Sequence, residues 1–148
     1  VSQDTKLAEI SQRSLTDVGD VIDHDFNRLG YRVETGSKIK TISATNISFT
    51  SDIDNNGVID TITYLKSINT KTGNLMFRRV GTGQTSSQWS YPISDLLVEG
   101  LDSAGTVTYT INNIKSIAVT VMLVGKAGTD FNVQYGQMWK RQFFPKNL

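Results

Sequence analysis

The chain has 148 residues, no cysteine, and 15 basic against 14 acidic side chains, for a formal charge of +1. That length suits one domain, 1–148, with a single hydrophobic core, and the near-neutral balance argues against a phosphate backbone as partner, so no nucleic acid is expected. The missing cysteine excludes disulfides and thiolate metal sites, and no apolar run approaches the roughly 18 residues that a membrane helix needs.

The N-terminal part reads as helix. Leu7, Ile10, Val18, Val21, Ile22, Phe26 and Leu29 recur at three- and four-residue steps, which predicts the apolar face of an amphipathic helix from Asp4 to Leu29. Gly30 follows where a C-terminal cap belongs, and about 25 such residues would span roughly 37 Å. The chain starts at Val1 and enters this pattern at once, so an upstream segment removed by processing or deletion is expected.

Beyond Gly30 the period changes to two and no second helix is predicted. Strands are expected at 46–51, 60–67, 75–80, 96–101, 106–111, 114–124 and 138–144, with turns at Asn56-Gly57, Thr72-Gly73 and Ser103-Ala104-Gly105. The Gly-, Ser- and Thr-rich stretches 81–90 and 125–136 read as exposed loops. The predicted fold class is therefore α+β: a long N-terminal amphipathic helix (1–30) packed on antiparallel β-sheet, with the β region at 45–148.

Between the first two of these strands lies Asp52-Ile53-Asp54-Asn55-Asn56-Gly57-Val58-Ile59-Asp60. In the numbering of an EF-hand loop, Asp52, Asp54 and Asn56 fill positions one, three and five. Gly57 makes the turn, Val58 offers its carbonyl and Asp60 is ninth. The twelfth position is Thr63 in place of the bidentate glutamate, so a weak calcium site of extracellular grade is the cofactor implied. The alternative is an ion-free hairpin tip turning at Asn56-Gly57, its aspartates solvated.

The segment Val21-Ile22-Asp23-His24-Asp25-Phe26-Asn27-Arg28-Leu29-Gly30-Tyr31 resembles the end of the N-terminal helix of minor pilins and pseudopilins. Further pieces follow in that family's order: Ile47-Ser48-Phe49, Ile62-Thr63-Tyr64, Leu75 to Arg79, Leu96 to Leu101, Asp102 to Gly105, Ile117 to Val121, and Phe144-Pro145-Lys146-Asn147-Leu148. Together they are similar to the pseudopilin J component of type II secretion and to PilW-like minor pilins of type IV pili. The resemblance implies a pilin-like fold and a structural subunit that helps initiate or cap a filament in the bacterial cell envelope. It also implies other pilin or pseudopilin subunits as partners, packed along the helix stripe, and an inner-membrane anchor supplied by a helix missing from this sequence.

An enzyme is not expected. His24 is the only histidine and no nucleophile motif accompanies it. Asp23 with Asp25 reads as a solvated pair, and Arg78, Arg79, Lys140, Arg141 and Lys146 as solvated strand residues. The competing functional class is a secreted calcium-dependent adhesion or carbohydrate-binding module, using the acidic loop and Trp89.

Overall fold

The computed structural model describes residues 3–69, 73–82, 85–126 and 134–148, with helical side chains described from Leu15 onward. One helix, α1 (Gln3–Asn27), precedes two antiparallel meanders. The first is a five-stranded sheet in the order β1 (Ile39–Ser43), β2 (Asn46–Ser51), β3 (Asp60–Asn69), β4 (Gly73–Thr82) and β5 (Thr85–Pro92). The second has three strands, β6 (Asp95–Leu101), β7 (Ser116–Lys126) and β8 (Gln134–Phe143).

This overturns the α+β, pilin-like plan. Strands make up about half of the described residues, in two antiparallel sheets, so the protein is mostly β and the helix is a minor element, not a long helix on which a sheet is packed. The stripe of apolar residues locates a helix but says nothing of how much sheet the rest builds. Two strands, Ile39–Ser43 and Thr85–Pro92, form in stretches too polar to show a clear period of two, because neighbouring strands offer them hydrogen-bonding partners. Conversely, 106–111 is no strand: one bridge joins Leu101 to Val107, and a 3-10 turn follows at Ile111–Asn113. The loop expected at 125–136 falls largely outside the described residues, as does the turn at Thr72.

The core forms where α1 meets both sheets. Registered rows put Ile47, Tyr64 and Arg78, and beside them Phe49, Ile62 and Val80, on one face of the first sheet. Leu96 with Val121 and Trp139, and Gly100 with Ile117 and Phe143, line the facing side of the second. Phe26 stands between them, with ring centroids 5.1 Å from Phe49, 5.5 Å from Tyr64 and 5.1 Å from Phe143. Trp139 lies over Gly19, where a Cβ would come within 2.5 Å of the indole nitrogen, so glycine is what lets β8 approach the helix. The sheets are also tied to each other by Val98 N–H donating to the Ala44 carbonyl at 2.7 Å and by Lys66 to Asp95 at 2.9 Å.

Val18, Ile22, Phe26 and Leu29 are buried in this chain's own core, and Val21 is half-buried. Those four are therefore unavailable to neighbouring helices, which corrects the expectation that the whole stripe packs between subunits. Leu7 and Ile10 lie in the helical backbone, with side chains outside the described residues.

Asp23 and Asp25 are not a solvated pair. Two residues apart on a helix, they point to opposite flanks, and each takes an arginine from a different sheet. Asp25 accepts from Arg78 Nε at 2.6 Å and Nη2 at 3.0 Å, while Asp23 pairs with Arg141. The basic residues 78 and 141 are thus fasteners, not free surface charges.

Candidate metal centre

The connection from β2 to β3 leaves the sheet at Ser51 and returns at Asp60. It is not a two-residue hairpin turn at Asn56-Gly57. The left-handed positions are Asn55, φ 58°, and Gly57, φ 88°, conformations that asparagine and glycine adopt cheaply. The chain thereby coils back on itself and gathers carboxylates that an extended hairpin would hold apart.

Asp52, Asp54 and Asp60 each bring an oxygen within 4.8 Å of the others, and this cluster could hold a metal ion. Asp52 and Asp60 are buried and Asp54 is exposed. Asn56 and Val58 form the outer turn: the Asn56 amide nitrogen donates to Asp54 at 3.0 Å, and Val58 N–H donates to the Asn56 side-chain oxygen at 2.9 Å. Thr63, at the twelfth position, is in β3 and hydrogen-bonds Ser48 at 3.1 Å, so it stays in the sheet.

Each carboxylate has a different role in the loop itself. Asp52 accepts the N–H groups of Asn56 at 3.0 Å and Gly57 at 2.9 Å, plus Arg32 Nη1 at 3.3 Å. Asp60 accepts Ile53 N–H at 3.2 Å and the Thr82 hydroxyl from β4. Asp54 meets only the Asn56 amide among the described hydrogen bonds. Two carboxylates therefore build the loop and the third, exposed, is the one most free to turn to a cation.

Nothing in the sequence announces the helix end's part in this site. Past α1, Tyr31 hydroxyl donates to Asn55 at 3.2 Å, the Tyr31 carbonyl accepts Asp52 N–H at 2.9 Å, and Arg32 sits at φ 63°. Its guanidinium offsets one of the three negative charges, so a cation would meet a smaller net charge than the aspartate count suggests. Asp52 follows Gly30 by 22 residues with two strands between, β1 and β2, so no local spacing could have hinted at it.

Burial acts to raise the Asp52 pKa, but the N–H groups of Gly57 and Asn56, then Arg32, outweigh it and leave it below the ordinary 3.8. The Asp95 carboxyl is lowered too, chiefly by its hydrogen bond from Lys66. A depressed carboxyl pKa contributes stability that is complete above the unfolded value and lost as pH falls through the folded one. Urea midpoints should therefore hold level above about pH 5 and drop steadily below about pH 4. Asp52→Asn should flatten part of that drop, and an unchanged acid limb would count against this account.

A second buried cluster is neutral to chemistry but not to structure. Burial and then the Asp25 carboxylate push the Tyr64 phenol well above its ordinary pKa, so it remains a proton donor to Asp25. Burial works against the Arg78 charge, yet Asp25 outweighs it and raises the guanidinium further. His24, half-exposed, reaches Asp25 at 3.3 Å, but that carboxylate is already engaged by arginine and tyrosine and cannot serve it as a catalytic partner. Trp89, the aromatic suggested for ligand recognition, packs against the core. No protein family matches this chain, and comparisons with curated proteins and with solved structures give no match.

Proposed function

We propose that this protein is a non-catalytic structural subunit of a bacterial pilus or pseudopilus, working in the cell envelope beside other such subunits. The ordered run of segments from Val21 to Leu148 supports this, and one structural observation carries it. Asp25–Arg78 and Asp23–Arg141 fasten the helix to both sheets, so helix and β body move as one unit. A filament subunit needs that, because position set along a helical core must reach the outward-facing domain. With Val18, Ile22, Phe26 and Leu29 spent internally, the stripe residues left to the proposed contact with neighbouring subunits are Leu7, Ile10 and the half-buried Val21. The chain contains no cysteine, which makes the test direct. Leu7→Cys or Ile10→Cys, expressed in cells that assemble the filament, should give oxidative cross-links to other subunits, whereas Lys115→Cys on the body should not. Failure of both helix positions to cross-link would sink the reading.

In the same proposal the acidic loop binds calcium. Hard oxygen donors, two of them preorganised and one exposed, suit that ion, and the missing twelfth ligand keeps affinity low. At tenfold excess over its Kd, calcium should stabilise the fold by about 1.4 kcal/mol. Asp54→Ala should abolish the calcium-induced rise in melting temperature while leaving the ion-free melting temperature nearly unchanged. Asp52→Ala should lower the ion-free melting temperature as well, because it also removes the acceptor for Asn56 and Gly57. A calcium response that survives Asp54→Ala would place the ion elsewhere.

A further inference from the structure

The acidic loop carries the chain's single Asn-Gly pair, Asn56-Gly57, and both residues are exposed. In such a pair the backbone nitrogen that follows the asparagine can reach its side-chain carbonyl, because glycine has no Cβ to obstruct the approach. The way is open in this loop: no heavy atom lies within 4 Å of the place that a Cβ on Gly57 would take.

Three hydrogen bonds arrange the pair for reaction. Val58 N–H donates to Asn56 Oδ1 at 2.9 Å, which folds the side chain over the backbone that follows it and polarises the carbonyl carbon Cγ. Gly57 N–H donates to Asp52 Oδ2 at 2.9 Å, so a carboxylate stands where a proton must leave the attacking nitrogen. Asn56 Nδ2 donates to Asp54 Oδ2 at 3.0 Å, which holds the amide so that Oδ1 stays on Val58. A donor at the oxygen that gains charge and a base at the nucleophile are the working parts of an acyl-transfer site.

We propose that Asn56 is a self-modification site, deamidated by attack of Gly57 on its neighbour's side chain. Gly57 N bonds to Asn56 Cγ as Asp52 takes the nitrogen's proton, and Val58 N–H stabilises the oxyanion that forms. The Cγ–Nδ2 bond then breaks, and Nδ2 leaves with that proton as ammonia. Water opens the resulting five-membered imide at either carbonyl, giving aspartate or isoaspartate at 56. Aspartate sets a fourth carboxylate on a loop that already gathers three, whereas isoaspartate adds a carbon to the backbone and carries Gly57 and Val58 off their partners. The modification goes beyond the filament and calcium readings and depends on neither.

Purified protein incubated at neutral pH should gain the mass difference between a hydroxyl and an amino group in the peptide that carries residue 56, ahead of every other asparagine peptide. Conversion should be faster in the native protein than in urea, where the sequence is the same but the three hydrogen bonds are gone. Asp52→Asn should slow it about tenfold or more. Asn56→Gln, which would have to close a six-membered ring, should not convert. An unmodified Asn56, conversion slower in the native chain than in urea, or a rate that Asp52→Asn leaves unchanged overturns the proposal. If Asp52→Asn fails to fold, the comparison of native protein with urea decides alone. The readout is a mass that needs neither ion nor filament, so failure here is distinct from failure of either earlier reading.

Discussion

Arg78→Met is expected to destabilise the protein by about 3–5 kcal/mol, the usual cost of removing one partner from a buried ion pair. Asp25 is fully buried and belongs to the last turn of α1, where the helix dipole already disfavours negative charge. Arg78 supplies two of its hydrogen bonds, in a fork that a methionine cannot imitate. What remains is one tyrosine hydroxyl and a half-exposed histidine, too little to solvate a carboxylate held away from water. Urea unfolding at neutral pH measures the loss. The triple change Asp25→Leu, Tyr64→Phe, Arg78→Met should be milder than Arg78→Met alone, because it removes the buried polar groups along with their partner. A single-variant cost below about 1 kcal/mol would mean that water reaches Asp25 and that the helix is held by packing alone.

That pair leaves a signature in the sequence, missed when Asp25 and Arg78 are each read as solvated, because it takes two patterns read together. Along the helix, Asp25 stands three residues after Ile22 and four before Leu29, inside the apolar stripe. Along β4, Arg78 alternates with Met76 and Val80, both on the face turned to the core. A charge inside each of two apolar patterns predicts that the two charges meet, since neither could be buried alone. The clustering of Asp52, Asp54 and Asp60 was legible in the same local way, because their spacing depends only on residues 52 to 60. The share of β structure was not. Thr85 to Pro92 has the composition of a loop, and only β4 beside it makes it a strand. Arg32 reaching Asp52 was also hidden, because it depends on how the chain leaves the helix at Gly30, where φ is 76°, and returns beside β2. Local period and spacing survive in a single sequence, whereas the pairing of distant segments does not.

Phe26→Ala should cost about 3–5 kcal/mol, the range for deleting a buried aromatic from a core. The side chain is fully buried and its ring contacts reach β2, β3 and β8. Because those strands are held by their own ladders in two separate sheets, the cavity cannot close by a small shift of one neighbour, and the cost should fall high in the range. Phe26 also adjoins Asp25, so its loss and that of Arg78 should not add. If the described part of α1 docks as one unit, the first change already loosens the helix and the second removes contacts that are partly gone. The double variant Phe26→Ala, Arg78→Met should then cost less than the sum of the singles by more than about 0.5 kcal/mol. Strict additivity would show instead that the aromatic contacts and the ion pair hold the helix independently. In that case the rigid link between helix and sheets would survive the loss of either one.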